Sequence, residues 1–186
     1  MRLAPDVVCA SHDPFAMRLE LENLGKDPSF AHRYAPDELP LDEPDLRLVE
    51  RAGVEGRIRR TGGEVQVSGT LTTTVETPCA RCLKPVLTPI KAEFFERFVT
   101  AVSWRDEEQH ELASEDLNLS VFDGETIDLD ELVREEIVLA TPVQVFCRED
   151  CKGLCPACGV DWNLKTCECG TQEIDLRWEK LKGLRF

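Results

Sequence analysis

A chain of 186 residues with 22 Lys and Arg against 36 Asp and Glu has a formal net charge of -14, and its length suits one ordinary domain plus a small appendage. The imbalance is concentrated: Asp106 to Glu136 holds thirteen acidic residues against one base, Arg134. That stretch repels a phosphate backbone, which excludes wholesale electrostatic binding of nucleic acid and leaves a basic protein partner or a solvated loop as its readings.

Residues 1–13 lack periodicity and contain Pro5, Ser11 and Asp13, which predicts a flexible N-terminal tail carrying one isolated thiol, Cys9. Met1 to Asp6 has no apolar secretion core, and no stretch approaches the length of a membrane span. A reduced, cytoplasmic chain is expected. Phe15, Met17, Leu19 and Leu21 alternate with Ala16, Arg18, Glu20 and Glu22, the period of a half-buried strand ending at Asn23-Leu24-Gly25. Pro36, Pro40 and Pro44 among acidic residues predict a stiff connector.

From Leu46 to Val99 the pattern is β. Leu46 to Val49 and Val54 to Arg60 lead into the turn Thr61-Gly62-Gly63-Glu64, and Val65 to Val75 returns. Thr77-Pro78-Cys79-Ala80-Arg81-Cys82 breaks that strand, and Val86 to Val99 resumes with Phe94, Phe95 and Phe98 available for a core. Leu117 to Phe122 and Thr126 to Leu129 read as short extended pieces around Asp123-Gly124. Asp128 then caps a helix in which Leu129, Leu132, Val133, Ile137 and Leu139-Ala140 recur near helical spacing, stopped at Thr141-Pro142. Leu176 to Leu184 reads as a short helix or tail. The expected fold is α+β: an antiparallel β-rich core with one or two helices and a small C-terminal cysteine-rich, zinc-binding segment. Its expected parts are the tail 1–13, a β-rich domain 14–142 with the acidic loop and helix, and the cysteine segment 143–186.

Six of the nine cysteines fall between Cys147 and Cys169. Cys155-Pro156-Ala157-Cys158-Gly159 has the form of a zinc-knuckle half-site, because thiolates two residues apart in a tight turn can grip one tetrahedral Zn²⁺, and Gly159 lets the backbone amides turn toward sulfur. A closed site needs four ligands, so the second pair is Cys167 with Cys169 or Cys147 with Cys151. A disulfide framework is the alternative, disfavoured in a reducing compartment. Cys79 and Cys82 admit two readings. They complete a second structural zinc site with the surplus C-terminal pair, since eight cysteines make two sets of four, or they form a redox dithiol beside Arg81. The dithiol reading is weakened because such motifs usually open a helix, whereas this one lies between strands. No Gly-x-Ser-x-Gly, phosphate loop or His-Glu-x-x-His occurs, and His12, His32 and His110 read as surface side chains. RNA contact would fall to Arg57, Arg59 and Arg60, or to Arg81 with Lys84, although the first three also read as a solvent-facing strand.

Several motifs in fixed order then carry a family likeness. Cys79-Ala80-Arg81-Cys82-Leu83-Lys84-Pro85 follows a β-rich half, and Ile127-Asp128-Leu129 leads into an acidic helix ending Glu136 to Pro142. Cys147-Arg148-Glu149-Asp150-Cys151-Lys152-Gly153-Leu154-Cys155-Pro156-Ala157-Cys158-Gly159 comes next. This arrangement resembles the YceD family, with Asn163 and Cys167-Glu168-Cys169 also in place and Trp162 less typical. The resemblance implies a non-enzymatic factor in large-subunit (23S) rRNA accumulation and ribosome assembly. Its implied partner is a large-subunit ribosomal protein or pre-ribosomal particle, with no membrane or small-molecule substrate. Some family members keep the first cysteine pair and lack the C-terminal cluster, which implies that zinc there supports stability and that the shared function sits on the β-rich half.

Overall fold

The computed structural model describes residues 17–23, 28–102, 118–169 and 177. The expected tail 1–13, residues 103–117 with the first six acidic positions of the run 106–136, and all of 176–184 except Arg177 lie outside the described residues. The chain divides into two compact units, Met1–Thr77 with Leu87–Val143, and Pro78–Val86 with Gln144–Phe186. The turn at Cys79 to Lys84 therefore belongs with the C-terminal cysteines.

In the first unit β1 (Arg18–Glu20) runs into a 3-10 turn (Leu21–Asn23), followed by β2 (Ser29–Tyr34), β3 (Arg47–Leu48), β4 (Ala52–Thr61), β5 (Glu64–Pro78), β6 (Pro85–Thr100), β7 (Leu119–Phe122), β8 (Thr126–Asp128) and helix α1 (Leu129–Ala140). The large sheet has the order β2-β4-β5-β6-β7, with β3 also on β5, and β1 pairs with β8 in a two-stranded sheet. The β4–β5 hairpin turns at Gly62 and Gly63, with Thr61 opposite Glu64. Gly62 has φ 63, a left-handed conformation that glycine adopts without steric cost. Along β5 the odd positions Val65, Val67, Leu71 and Val75 are buried, so one face of the pleat is core.

The structure departs from the sequence reading at four points. Phe95, available for a core by sequence, is 45% exposed because it falls on the outer side of the β6 pleat, and Leu139, at helical spacing with the buried residues of α1, is 77% exposed. Ser29–Tyr34 is a strand on β4 where none is anticipated, and β7 joins β6 in parallel, Arg97 opposite Leu119 through Thr100 opposite Phe122. Parallel pairing needs a crossover of about a dozen residues or more, which the stretch from Thr100 to Leu119 provides.

Asp128 caps α1 as expected, its Oδ1 accepting the amides of Asp130 at 3.0 Å and Glu131 at 3.2 Å. At the other end Thr141 Oγ1 donates to the Ile137 carbonyl at 2.7 Å, before Pro142. Leu129, Leu132, Val133 and Ile137 are buried in the core. At about 2 kcal/mol each their burial outweighs the roughly 1 kcal/mol of the cap, so packing decides that the helix forms. Asp130 anchors the start of β1: its carboxylate accepts the Met17 amide at 3.1 Å and the hydroxyl of fully buried Tyr34 at 2.6 Å. No helix among the described residues is long and apolar enough to cross a membrane.

Candidate metal centres

The second unit contains one backbone motif twice. In Cys79-Ala80-Arg81-Cys82-Leu83-Lys84 the Cys79 amide donates to the Lys84 carbonyl at 2.8 Å and the Leu83 amide to the Cys79 carbonyl at 2.9 Å. In Cys155-Pro156-Ala157-Cys158-Gly159-Val160 the equivalent bonds are Cys155 to Val160 at 2.8 Å and Gly159 to Cys155 at 2.9 Å. The residue after the second cysteine has positive φ in both, 71 at Gly159 and 58 at Leu83. Each turn is a knuckle that presents two sulfurs to one side.

Each knuckle meets a second pair. Cys79, Cys82, Cys147 and Cys151 bring their sulfurs within 4.8 Å of one another, and Cys155, Cys158, Cys167 and Cys169 do the same. All eight are free thiols. Cys79 and Cys151 sulfurs lie 3.9 Å apart, those of Cys82 and Cys147 3.6 Å. A tetrahedral ion with metal–sulfur bonds of about 2.3 Å has sulfur–sulfur edges of about 3.8 Å, whereas a disulfide closes to about 2.05 Å. Both sets can therefore hold a metal ion, and the donor chemistry is that of a thiophilic one.

The electrostatics fit the same reading. Burial opposes ionisation of Cys79, but amides of Cys147, Cys82 and Arg81 donate to its sulfur and bring it down to about 6. The amides of Cys158 and Ala157 hold Cys155 at about 6 against its burial. Cys147, although exposed as a residue, is pushed up to about 12 by desolvation of its sulfur and by the sulfurs of Cys82, Cys151 and Cys79. Cys169, although exposed as a residue, reaches about 12 through its contact with Cys158, then desolvation of its sulfur and the Cys155 sulfur. Four adjacent thiolates repel one another, so a set ionises in full only around a cation.

Outer contacts orient the ligands. Asn163 donates from Nδ2 to Cys151 Sγ at 3.5 Å and to Asp161 Oδ1 at 2.6 Å, while its Oδ1 accepts the Lys152 amide at 2.9 Å. Trp162 Nε1 donates to Cys167 Sγ at 3.3 Å. Lys84 Nζ lies 2.7 Å from Asp161 Oδ2, and this ion pair, with the Asn163 bonds, lowers Asp161 to about 2. Arg81 donates to the carbonyls of Cys151 at 2.8 Å and Glu149 at 3.2 Å, and its guanidinium sits 4.6 Å from the Phe146 ring centre. Both cations of the first knuckle thus have partners within the unit.

A family model described as large ribosomal RNA subunit accumulation protein YceD matches residues 67–185. The chain belongs to the YceD family. Both knuckles and both second pairs lie inside the YceD match. A protein of Mycobacterium tuberculosis is 30% identical over 177 residues, 91% of this chain and 82% of its own. The protein YlbN of Bacillus subtilis is 30% identical over 149 residues, 80% of this chain and 82% of its own. A chloroplastic YCED homolog of Arabidopsis thaliana, named for large ribosomal RNA subunit accumulation, is 34% identical over 59 residues, 32% of this chain and 18% of its own. No solved structure gives a significant match.

Two participants in this YceD chain carry no motif signal in the sequence. Trp162, less typical of the family, donates to a candidate ligand, and Asp161 ties the two knuckles through Lys84. Their signal was position alone, two to three residues past Gly159 inside the cysteine cluster.

Proposed function

We propose that this chain is a non-enzymatic cytoplasmic factor supporting 23S rRNA accumulation and large-subunit assembly by binding a basic ribosomal protein or a pre-ribosomal particle. The observation that carries this reading is the family match across residues 67–185. Each four-cysteine set holds one structural Zn²⁺: four thiolates close the coordination shell, whereas a catalytic zinc keeps an open position. The zinc would contribute folding energy to the unit that holds it. A thiol–disulfide oxidoreductase built on Cys79 and Cys82 is disfavoured, since these thiols are 0% and 5% exposed and share their cluster with Cys147 and Cys151.

Charge supports a cationic protein partner. On α1, Glu135 is pushed up from the usual carboxylate range by burial, then by Glu131 and Glu96, and Glu136 by burial, Glu96 and Glu135. A cation docking beside this crowd of like charges would relieve it. The arginines of β4 make a weaker RNA surface. Arg57 and Arg59 alternate onto the face opposite buried Val54 and Ile58, while Arg60 falls on the other side and donates to the Leu21 carbonyl at 3.5 Å.

Depleting the protein should lower mature 23S rRNA relative to small-subunit rRNA, and the partner interaction should weaken steeply with added salt. Neutralising Glu107, Glu108, Glu111, Glu115 and Asp116 should reduce association more than neutralising Arg57, Arg59 and Arg60. The reverse ranking, with naked rRNA bound tightly by the isolated protein, would overturn the acidic-docking reading.

A further inference from the structure

The two cysteine sets differ in how their ligands are recruited and in how well they are shielded. In the first, ligands come from two distant segments, with Cys82 and Cys147 separated by 65 positions. Cys79, Cys82 and Cys151 are buried together against Val86 and Leu154, and of the four ligands Cys147 alone is exposed, against two exposed ligands in the other set. Backbone bonds reinforce the join: the Ala80 amide donates to the Val145 carbonyl at 2.8 Å and the Leu154 amide to the Arg81 carbonyl at 3.1 Å. Releasing this metal would reopen a long loop and expose apolar surface, so metal loss is coupled to unfolding.

The second set is local. All four ligands lie between Cys155 and Cys169, and while Cys155 is buried, Cys158 and Cys169 are exposed and Cys167 is half-buried. The knuckle's own bonds, Cys155 to Val160 and Gly159 to Cys155, do not depend on Cys167 or Cys169. Metal can leave this set at small structural cost, and solutes can reach its sulfurs.

We propose that the Cys155/Cys158/Cys167/Cys169 centre is an exchangeable, peroxide-sensitive zinc site, while the Cys79/Cys82/Cys147/Cys151 centre is a permanent staple. This rests on the zinc reading above. A hydroperoxide is the oxidant. One exposed thiolate, Cys158 or Cys169, attacks a peroxide oxygen, the O–O bond breaks, and a sulfenic acid forms as hydroxide leaves and is protonated to water. The other thiolate attacks that sulfur, a disulfide forms, and the second oxygen leaves as water. Two thiolates give two electrons to one hydrogen peroxide, two protons are taken up, and Zn²⁺ departs unchanged in oxidation state. The sulfurs, already within 4.8 Å, need only close to disulfide distance.

The test uses full-length protein loaded with zinc, a chromogenic zinc indicator and graded hydrogen peroxide. The expected result is a first phase releasing one zinc per chain, about tenfold or more faster than the second, since oxidation follows thiolate exposure. Peptide mapping should place the first disulfide within Cys155–Cys169, and a phosphine reductant should restore zinc uptake. The double variant Cys167→Ser/Cys169→Ser should stay folded, keep one zinc and lack the fast phase. Release of both ions together, or a fast phase that survives in this variant, would overturn the inference while leaving two zinc sites in place. A chain that binds no zinc under reducing conditions would overturn the zinc reading itself, and this inference with it.

Discussion

Leu83 and Gly159 occupy the same position in two copies of one turn, yet only one of them is suited to it. A left-handed backbone costs a non-glycine residue about 1–2 kcal/mol, and Leu83, at φ 58, carries that strain with 64% of its surface exposed. Leu83→Gly should therefore stabilise the protein by about 1 kcal/mol, the relieved strain being partly offset by the greater freedom of glycine in the unfolded chain. Chemical denaturation at fixed zinc checks it, and a lowered midpoint would mean that the leucine side chain contributes more than its backbone costs. Gly159 was readable in advance because glycine after a Cys-x-x-Cys advertises the turn. Leu83 was not, since leucine says nothing about positive φ and only the matching hydrogen bonds reveal the repeat. Trp162 and Asp161 were opaque for a similar reason: an indole or a carboxylate becomes meaningful once its partner is known, the Cys167 sulfur at 3.3 Å or the Lys84 ammonium at 2.7 Å.

At the scale of strands, Gly56 and Gly69 face each other across β4 and β5. A Cβ on Gly56 would lie 2.6 Å from Phe30 Cζ, and one on Gly69 would strike the Glu55 carbonyl and lie 2.7 Å from Phe94 Cζ. The two rings cover the glycines and complete the core layer. Gly69→Ala should cost about 1–3 kcal/mol, the usual penalty of overpacking, without altering zinc content; thermal unfolding at constant zinc would show it, and an unchanged midpoint would contradict this packing. A second expectation concerns Glu64, which Arg97 grips with both oxygens, at 2.8 and 3.1 Å. That bond, with help from Gln66, lowers the Glu64 pKa. A carboxylate depressed on folding adds stability above its unfolded pKa, near 4.3, and loses that contribution as pH falls through its folded value. Glu64→Gln should therefore narrow the stability gap to wild type as the medium is acidified below about pH 4, and a gap that stays constant to pH 2 would count against the pair. The hairpin at Thr61 to Glu64, the Asp128 cap and the Pro142 stop were legible because each is set by residues within a few positions. β2 was not: Ser29–Tyr34 buries Phe30 and Tyr34 but leaves Ala31 exposed and mixes His32 with Arg33, so its alternation is too weak to announce a strand. The parallel partner of β6 was equally hidden, because pairing across a long connection leaves no local trace.

Across the whole molecule, composition and motif order were enough to reach the fold class and the family, and the count of eight cysteines already allowed two sets of four. What the sequence left open was the partition. Cys155 and Cys158 could have closed with Cys147 and Cys151 or with Cys167 and Cys169, and nothing within the cluster decides between them. The choice depends on a turn 65 or more positions away, since Cys79 and Cys82 sit against Cys147 and Cys151 and leave the later pair for the second knuckle. The chain therefore joins a β-rich unit with an acidic helix to a cysteine unit that takes its first knuckle from the β5–β6 turn. As proposed, each set closes around one zinc ion through sulfur alone, and zinc K-edge X-ray absorption on the reduced protein is the decisive measurement. Four sulfur neighbours per zinc at about 2.3 Å, with no nitrogen or oxygen in the first shell, are predicted; zinc bound through nitrogen or oxygen, or no zinc retained, would contradict it.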